Sequence, residues 1–556
     1  MSTLPVTSER YAQAFPELTE AQIERIRPVA RVRPVRRGDI LFDVNDTSVP
    51  FFVLLTGAME IVQPGIETLP QLIAKHGPRE FTGEMSMISG QRCLVRGMVT
   101  QDGEFLEADG DGLRSLVAKD SELSEILMRA FIFRRLELIN QGWSSVVLLG
   151  SQHSAKTLEI REFLQRNGFP YSYRDLDKDK DQQQMLDRFN VKLSEIPVVI
   201  CNGGIVMRNP TVQHLADCIG LSVKVEADHV HDVLIVGAGP AGLAAAVYGA
   251  SEGLETLMVE THAPGGQAGS SSKIENYLGF PTGVSGGELA ARATSQAQKF
   301  GARMMVARSV DRLECAHRPY RVVLNDGEAL AARTVVIATG AQYNKPNLPN
   351  IQKFEGSGVY YGATNMESQL CGGEEVIVVG GGNSAGQAAA FLAQTASRVH
   401  LLVRSGELSS TMSRYLIQRL TENSKVDLHF RTEIVALEGA DHLERVTWRD
   451  AAKDERCIMP IRHVFVMTGA SPRTDWLKGC VAMDDKGFIL TGRDLEAAAD
   501  GQPRWPLERP PQMLETSLPG VFAVGDVRSG NVKRVASAVG EGAISIYLVH
   551  RALAEL

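Results

Sequence analysis

Glycines spaced as G-x-G-x-x-G are the clearest chemical feature of this sequence. The segment HDVLIVGAGPAGLAAAVYGA contains an apolar run, then Gly237, Gly239 and Gly242, then an alanine-rich run. Such glycines allow a tight turn, a close approach of backbone to a pyrophosphate and close helix packing, while the helix N-terminus supplies positive potential. The next apolar run, LETLMVE, ends at Glu260, whose carboxylate is placed to accept hydrogen bonds from an adenosine ribose. The sequence therefore predicts a strand, a turn and a helix that bind a dinucleotide.

A second segment of the same kind reads EEVIVVGGGNSAGQAAAFLA. Its fingerprint positions and the polar residues between them are Gly380, Gly382, Asn383, Ser384 and Ala385. The following run, RVHLLVRS, ends with Arg404 instead of an acid. An arginine there supplies charge-matched donors to a ribose 2′-phosphate, which a carboxylate would repel. The second site is thus predicted to prefer NADPH over NADH, and His400 on this run is either structural or a cofactor contact.

The cysteines show no metal-binding or redox spacing. There are seven of them, and no two have C-x-x-C spacing: Cys93, Cys201, Cys218, Cys315, Cys371, Cys457 and Cys480. Cysteines scattered in this way argue against a disulfide scaffold and against structural zinc. We predict no metal site.

Length and composition limit the number of domains and the classes of function. At about 100 to 200 residues per domain, 556 residues predict several domains. A net charge of -8 and a pI near 5.9 exclude a dedicated nucleic-acid binder. Since no apolar run approaches the ~18 residues that cross a bilayer and the N-terminus lacks a signal architecture, we expect a cytoplasmic protein without a membrane partner.

Residues 1–143 contain six short β-type runs between two helical stretches. Even spacing of short strands, with Gly38 and Gly57 at tight turns, predicts a small antiparallel barrel or jelly roll. The order of helix, barrel and long helix resembles the cyclic-nucleotide-binding domain family. In that family a phosphate-binding segment matches FTGEMSMISGQR, which assigns Gly83, Glu84 and Arg92 to a cyclic nucleotide. The match is shorter than usual between Glu84 and Arg92, so a barrel kept only for structure or docking is the alternative.

Residues 144–223 alternate between strand and helix patterns. They resemble a glutaredoxin or thioredoxin fold, in which Ile196-Pro197 occupies the position of the cis-proline loop. The redox C-x-x-C of that family falls at Ser151-Gln152-His153-Ser154. Serine does not cycle between thiolate and disulfide, so dithiol chemistry at this position is not expected. Cys201 and Cys218 are interpreted as small buried apolar residues.

Two further segments complete the predicted flavin site. VVIATG ends at Gly340, and GVFAVGDVRSGNVKRVASAVGEGAIS carries Asp526 to the start of a helix. The order of the four segments places one dinucleotide domain inside another. It resembles the two-dinucleotide-binding-domain flavoproteins, and in detail the low-molecular-weight thioredoxin reductases. That resemblance implies further FAD contacts at Gly266, Gln267, Asn276, Lys533, Arg534 and Val535.

The expected fold is therefore multidomain α/β, with a jelly-roll barrel, a thioredoxin-like domain and two interleaved Rossmann-like domains. The predicted limits are 1–143 for the cyclic-nucleotide-binding-like domain and 144–223 for the thioredoxin-like domain. The FAD-binding domain takes 231–343 and 475–556, and the NADPH-binding domain takes 344–474. Hinges are expected at 343–348 and 468–474.

The chain departs from thioredoxin reductases at their redox motif. Where they carry C-A-T-C, this sequence reads Gly362-Ala363-Thr364-Asn365. Transfer from flavin to disulfide through that motif cannot occur without sulfur. Cys371 follows nearby, either as an ordinary buried thiol or as a one-cysteine redox group.

The resulting hypothesis is an NADPH-dependent FAD oxidoreductase that passes electrons to an unidentified small-molecule or protein acceptor. A cyclic nucleotide would regulate it, and the resemblance implies a homodimer. Two alternatives stay open. One is a cyclic-nucleotide or redox sensor with little turnover, and the other is a thioredoxin-disulfide reductase that uses non-standard thiols.

Overall fold

The computed structural model describes residues 13–44, 46, 49–63, 71–83, 87, 92–93, 95–140, 146–152, 154–177, 195–201, 205–223, 225–226, 229–271, 273–361, 363, 368–369, 371–440, 442–497 and 504–555. Three predicted features lie wholly or mostly outside these ranges. They are Glu84, the helical run QQQMLDRF and, apart from Ala363, the segment 362–365.

The N-terminal region consists of short strands between helices. Its strands are β1 (Arg31–Val35), β2 (Ile40–Phe42), β3 (Phe51–Leu54), β4 (Ala58–Gln63), β5 (Gln71–His76), β6 (Arg96–Gln101) and β7 (Gly103–Ala108). Its helices are α1 (Glu20–Ile26), α2 (Gly110–Lys119) and α3 (Ser121–Asn140). The strands form antiparallel sheets of order β1-β7-β3 and β2-β6-β4-β5.

Local sequence explains these elements. Thr19 and Gln22 form a reciprocal capping box that starts α1. Gly38 and Gly57 have φ of 95° and 82°, which confirms the predicted tight turns. Phe42 of one sheet packs against Phe52 of the other, with ring centroids 6.5 Å apart, so the two sheets share an aromatic core. Strand β1 was not predicted.

Residues 146–223 are called the small unit below, and their described part contains one sheet and two helices. Their elements are β8 (Val146–Gly150), α4 (Ala155–Arg166), β9 (Ser172–Asp175), β10 (Val198–Cys201), β11 (Ile205–Arg208) and α5 (Val212–Ile219). The strand order is β11-β10-β8-β9, with β8 and β9 parallel. The Ile196–Pro197 peptide is cis, as expected. Helix α4 buries the side chains predicted for its inner face, Leu158, Ile160, Phe163 and Leu164.

The C-terminal half begins with a large, mainly parallel sheet. Its strands are β12 (Val230–Val236), β13 (Thr256–Glu260), β14 (Arg303–Val306), β15 (Val310–Glu314), β16 (Tyr320–Leu324), β17 (Ala329–Ile337) and β28 (Val521–Ala523). The order is β14-β13-β12-β17-β16-β15, and β28 pairs with β17. The helices of this part are α6 (Pro240–Ser251), α7 (Gly266–Gly269), α8 (Gly286–Lys299) and α12 (Val535–Glu555).

A second parallel sheet is formed by the chain between β17 and β28. Its strands are β19 (Val359–Tyr360), β20 (Glu375–Val379), β21 (Arg398–Val403), β22 (Val426–Phe430) and β26 (His463–Val466), in the order β19-β26-β20-β21-β22. A separate antiparallel sheet contains β23 (Thr432–Glu438), β24 (Arg445–Asp450) and β25 (Glu455–Met459). The helices are α9 (Ile351–Phe354), α10 (Asn383–Leu392) and α11 (Arg414–Thr421).

The two chain crossings between these sheets lie side by side. Strand β18 (Ala341–Tyr343) leads out of the large sheet, β27 (Ala470–Pro472) leads back, and they pair as a two-stranded antiparallel ribbon. The Thr468 hydroxyl donates to the Asn344 carbonyl at 2.7 Å, and the Ser471 hydroxyl donates to Oδ1 of Asn344 at 2.6 Å. Strand β27 lies within the predicted hinge 468–474, whereas β18 meets the predicted hinge 343–348 only at Tyr343.

The cysteine spacing argued against a disulfide scaffold and did not indicate the one disulfide that the structure contains among its described residues. Cys315 and Cys480 are joined, with their Cα atoms 5.9 Å apart. Cys315 follows β15 and Cys480 follows the return from β27, so folding brings together residues 165 positions apart. Sequence spacing cannot reveal such a pair.

None of the helices within the described ranges is long and apolar enough to cross a membrane.

Candidate functional site

The turn from β12 to α6 contains Gly237, Gly239 and Gly242 and is called the first glycine cradle below. Gly237 has a φ of 104°, and a Cβ there would lie 2.4 Å from the Ala338 carbonyl oxygen. A Cβ on Gly242 would lie 1.9 Å from the Gly237 carbonyl oxygen, so neither position accepts a side chain. At Gly239, the N-cap of α6, a Cβ would meet no atom within 4 Å. This open face beside the helix N-terminus fits the pyrophosphate of a dinucleotide.

Glu260 ends β13 beside this cradle, as predicted. Its Oε2 accepts a hydrogen bond from the Ala238 amide at 2.7 Å, and its Oε1 accepts one from the His262 amide at 2.9 Å. These bonds hold the carboxylate against the glycine turn. Each carboxylate oxygen has a second lone pair, so the group retains acceptor capacity for a ribose hydroxyl.

Asp526 lies just after β28, at the same edge of the large sheet. Burial raises the pKa of Asp526, the Lys533 charge opposes that rise, and Glu541 adds to it. Glu541 also holds the segment in place, because its Oε2 accepts from the Gly525 amide at 2.7 Å and its Oε1 accepts from Nη2 of Arg528 at 2.6 Å. Sequence reasoning missed this role of Glu541, although the residue lies within the motif that identified Asp526.

Of the remaining predicted FAD contacts, Gly266 lies against the cradle, since a Cβ there would lie 3.1 Å from the Gly239 Cα. Gln267 of α7 donates to the Ala341 carbonyl at the start of the ribbon, and Asn276 is exposed. Gly266 and Gly340 have positive φ values of 55° and 64°. Lys533 lies with Nζ 4.5 Å from the Phe488 ring centroid.

Helix α12 completes this edge. Val535 is its first residue, and Arg534 just before it is exposed. The helix packs tightly on α6, since a Cβ on Gly542 would lie 2.1 Å from the Ala241 carbonyl oxygen. The start of α12 is thereby placed close to the start of α6.

The turn from β20 to α10 contains Gly380 and Gly382 and is called the second glycine cradle. Gly380 has a φ of 145°, and a Cβ there would lie 2.4 Å from the Met467 carbonyl oxygen. Gly382 is the N-cap of α10, Asn383 and Ser384 are exposed in the first turn, and Ala385 is buried. Oδ1 of Asn383 accepts from the Ser413 amide at 2.9 Å, which ties the cradle to the segment before α11. This cradle also fits a pyrophosphate.

Arg404 follows β21 and is exposed, as a ligand for a ribose phosphate must be. A second arginine, Arg431, follows the neighbouring strand β22. Its amide donates to the Ser405 carbonyl at 3.1 Å, and its Nε lies 3.4 Å from the place of a Cβ on Gly406. Both arginines therefore emerge at the same edge of the sheet. Sequence reasoning missed Arg431, and a search for basic residues at the end of the next strand would have found it.

His400 is the third of the six residues of β21, whereas Arg404 follows the last one. Its ring nitrogens lie 3.1 Å from Nε2 of His429 and 3.1 Å from Oε2 of Glu375, the first residue of β20. The cradle follows the last residue of β20, so the structure favours the structural interpretation of His400. Within the described part of the chain, two groups have ligand atoms close enough for a metal ion: His400 with Asp427 and His429, and His229 with His231 and Glu255.

Cys371 is fully buried in the core of the parallel sheet that carries the second cradle. Its Sγ donates to the Ser368 carbonyl at 3.6 Å. Ala363 is buried in the same core. These surroundings favour the interpretation of Cys371 as an ordinary buried thiol.

The residues assigned to a cyclic nucleotide have unexpected neighbours. The Gly83 carbonyl accepts a hydrogen bond from Nη1 of the buried Arg134 at 2.8 Å, and a Cβ on Gly83 would lie 2.6 Å from the Phe131 ring. Arg92 packs on the small unit instead of standing alone, because its Cγ lies 2.7 Å from the place of a Cβ on Gly220. The structure thus brings Arg92 to the C-terminus of α5.

The two cradle-bearing parts also touch away from the ribbon. Nη1 of Arg419 on α11 lies 3.1 Å from Oε2 of Glu275, next to the predicted FAD contact Asn276. Lys273 lies 3.2 Å from the same carboxylate. This partly exposed ion pair links α11 to the loop beyond α7.

Most of the similarity to known proteins lies in the part of the chain that contains the two cradles. A family model described as "Pyridine nucleotide-disulphide oxidoreductase" matches residues 231–542, and one described as "Cyclic nucleotide-binding domain" matches residues 32–120. The thioredoxin reductase of Mycolicibacterium smegmatis is 32% identical over 327 residues, which cover 59% of this chain and 97% of that protein. The thioredoxin reductase of Bacillus subtilis (strain 168) is 31% identical over 330 residues, 59% of this chain and 96% of that protein. A crystal structure of Lactococcus lactis thioredoxin reductase (FR conformation) matches with a TM-score of 0.52 and 26% identity, covering 59% of this chain and all of that one.

Proposed function

Since the chain belongs to the pyridine nucleotide-disulphide oxidoreductase family, we propose that it is an NADPH-dependent FAD oxidoreductase whose electron acceptor is not the usual thioredoxin. FAD and NADPH are the cofactors of this family. One observation carries the proposal: the chain has two glycine cradles, one followed by the carboxylate of Glu260 and the other by the guanidinium of Arg404. The opposite charges suit an unphosphorylated ribose at the first cradle and a 2′-phosphate at the second.

When bound, the two cofactors supply hydride transfer from nicotinamide to flavin, which is their own chemistry. The chain would provide binding, orientation and exclusion of water. Gly237, Gly239 and Gly242 let backbone approach one pyrophosphate, while Asp526 is held at the same edge by the hydrogen bonds that Glu541 accepts from Gly525 and Arg528. Arg404, with Arg431 beside it, would select the phosphorylated nicotinamide cofactor.

The acceptor is the open part of this proposal. The sequence Gly362-Ala363-Thr364-Asn365 has no sulfur, and Cys371 is fully buried. Electrons would therefore leave for a small-molecule or protein acceptor that reaches the flavin directly. We further propose that the ribbon of β18 and β27 is the hinge about which the second cradle moves, and that the Arg419–Glu275 ion pair favours one arrangement.

The N-terminal domain would act as the regulatory part. Its match to the cyclic-nucleotide-binding family supports a cyclic nucleotide as its ligand, and the packing of Arg92 on the small unit supports a path from that domain to the rest of the chain. The small unit would serve as spacer and docking surface, with the domain limits proposed above. A homodimer is part of the same proposal.

The direct test uses purified full-length protein loaded with FAD. NADPH added anaerobically should bleach the flavin absorbance within the dead time of manual mixing. If the protein retains flavin that stays oxidised, the proposal is wrong. Turnover should then be followed with a panel of acceptors, with and without cAMP or cGMP. Bleaching without turnover on any acceptor would instead support the sensor function. Calorimetry without nucleotide binding would leave the N-terminal domain as a docking module.

A further inference from the structure

Three polar side chains, called the histidine cluster below, meet on one face of the parallel sheet that carries the second cradle. They are His400 on β21 and Asp427 and His429 on β22. His400 is buried and pairs in register with Asp427, and His429 lies two residues further along β22. Alternate residues of a strand point to the same face, so Asp427 and His429 lie on one side of the sheet. The Trp448 ring covers the cluster, with its centroid 5.5 Å from each of the two histidine rings.

Glu375 determines which nitrogen of His400 carries the proton. Its Oε2 lies 3.1 Å from Nε2 of His400. An ionised carboxylate only accepts hydrogen bonds, so Nε2 is the protonated nitrogen and Nδ1 has a free lone pair. Nδ1 lies 3.1 Å from Nε2 of His429 and 3.7 Å from Oδ2 of Asp427. Three atoms that can bind a metal ion therefore converge.

The spacing of these three atoms suits a metal ion. Ligand atoms at about 2.0–2.1 Å from a tetrahedral ion lie about 3.3 Å from one another. The separations of 3.1 Å and 3.7 Å lie on either side of that value, and all three atoms are within 4.8 Å of one another. The group of His229, His231 and Glu255 fits less well. There, Nε2 of His229 and Oε1 of Glu255 lie 2.5 Å apart, which is closer than two ligands of one ion approach.

The charges around the histidine cluster favour a cation. Glu375 and Asp427 are both acidic, and one guanidinium, that of Arg398, lies with Nη1 2.6 Å from Oδ2 of Asp427. One negative charge therefore remains unbalanced within this group. The side chains of Glu375 and Asp427 are 43% and 35% exposed, so an ion has access from solvent.

We propose that the histidine cluster binds one Zn²⁺ ion through Nδ1 of His400, Nε2 of His429 and Oδ2 of Asp427. Imidazole and carboxylate groups are ligands that Zn²⁺ prefers, and three of them leave a fourth position for water. Glu375 would orient the His400 ring, and the ion would tie β21 to β22.

The sequence predicted no metal site because its cysteines lack ligand spacing. The proposed ligands are instead histidine and aspartate side chains, and the two histidines are 29 positions apart along the chain. None of the three is assigned to FAD or NADPH, so the site does not rest on the proposed reaction of NADPH with flavin.

The test uses full-length protein loaded with FAD, treated with a chelator and then freed of it. After equilibrium dialysis against buffered free Zn²⁺, metal analysis should find one more Zn²⁺ per chain in wild type than in His429→Phe, which keeps a ring near Trp448 but removes a ligand. Glu375→Gln should weaken Zn²⁺ binding by about ten- to hundredfold, because the His400 ring loses its orienting partner. If wild type and His429→Phe bind equal amounts at every free concentration, the proposal is wrong.

Arg398→Gln is the matched control. It removes the cation that competes for Oδ2 of Asp427 and leaves all three ligands in place. Zn²⁺ should therefore bind to Arg398→Gln at least as tightly as to wild type, whereas Asp427→Asn should lose the site. Equal loss in these two variants would mean that the ion pair, and not ligation, is responsible, and would overturn the proposal.

A measurement on wild type keeps the proposal testable if a variant fails to fold. Zn²⁺ should slow hydrogen exchange in β21 and β22 and leave β12 unchanged, while Mg²⁺, which prefers oxygen ligands, should have no effect. Protection near His229 and His231 instead, or no protection at all, would contradict the proposal. These measurements do not involve flavin reduction, so their failure is distinguishable from failure of the proposed function.

Discussion

Nη2 of Arg166 donates a hydrogen bond at 2.9 Å to the carbonyl oxygen of Gly266. This bond joins the last turn of α4 in the small unit to the loop that the family resemblance assigns to FAD. Nδ2 of Asn167 adds a bond to the His262 carbonyl at 3.2 Å, and the Phe163 ring meets the His262 ring edge to face. The small unit therefore contacts this loop directly.

Removing the Arg166 bond should weaken FAD retention. A hydrogen bond from a charged donor contributes about 1.5–3 kcal/mol to stability. The share of this free energy that orders the loop would also strengthen FAD binding. We expect Arg166→Gln to raise the dissociation constant for FAD up to about tenfold, measured by flavin fluorescence on refilled apoprotein. Arg161→Gln is the matched control, because Arg161 is on the same helix but stacks on Tyr173. Equal loss in both variants would mean that charge on α4, and not this bond, matters.

Arg404 and Arg431 should together determine the choice of nicotinamide cofactor. Because their guanidinium groups would bind only the 2′-phosphate, Arg404→Ala and Arg431→Ala should each raise KM for NADPH about tenfold or more and change KM for NADH little. Steady-state kinetics with both cofactors and an artificial acceptor measures this. Arg445→Ala, which removes an arginine paired with Glu438 on a separate sheet, should leave both constants unchanged. Parallel effects on NADPH and NADH would contradict the assigned role.

The Cys315–Cys480 disulfide should stabilise the large sheet. A bond that closes a loop over 165 residues restricts the unfolded chain strongly, and loss of such a bond costs about 2–5 kcal/mol. Cys315→Ser should therefore shift the denaturant midpoint of this region, followed by hydrogen exchange, to lower concentration. Cys457→Ser changes an exposed cysteine on β25 and is the control. If reduced wild-type protein unfolds at the same midpoint as the oxidised protein, the disulfide is not stabilising.

His76 should make the N-terminal region sensitive to mild acid. Burial lowers the pKa of His76 below 6.5, against the effect of the Glu80 carboxylate, whose Oε2 lies 3.6 Å from Nδ1 of His76. The unfolded chain then binds the proton more readily than the folded chain does. Stability is therefore full above about pH 6.5 and falls as the pH drops toward the folded-state pKa.

Hydrogen exchange at residues 71–83 should speed up from pH 7 to pH 5.5, after correction for intrinsic rates, more in wild type than in His76→Phe. Phe keeps the ring that packs near Phe15, with centroids 5.9 Å apart in wild type. His214→Phe, at an exposed position, should behave like wild type. An unchanged acid response in His76→Phe would assign the effect to another group.

Local patterns were sufficient for some features and not for others. The glycine turns, Glu260 and Arg404 could be predicted because a glycine turn, its helix and the end of the next strand all lie within about 25 consecutive residues. Strand β1 was missed because Arg31, Arg33 and Pro34 are untypical of a strand. Pro34 is tolerated since β1 lies at a sheet edge, paired only with β7.

Contacts over long separations needed the fold. Cys315 and Cys480 carry no mutual signal in the sequence, and neither do Arg166 and Gly266. Arg431 joins Arg404 only because β21 and β22 are parallel neighbours, so that their ends meet at one edge.

By itself the sequence determined that two dinucleotide cradles exist, that their following strands end in opposite charges, and that both expected C-x-x-C motifs have lost their sulfur. These properties depend on residue type and short spacing alone. Only the tertiary structure decided that Arg92 lies against the C-terminus of α5, that Cys315 and Cys480 are bonded, and that the small unit contacts the loop assigned to FAD. Those contacts depend on how separate units pack, and packing brings together side chains whose distance along the chain bears no relation to their distance in space.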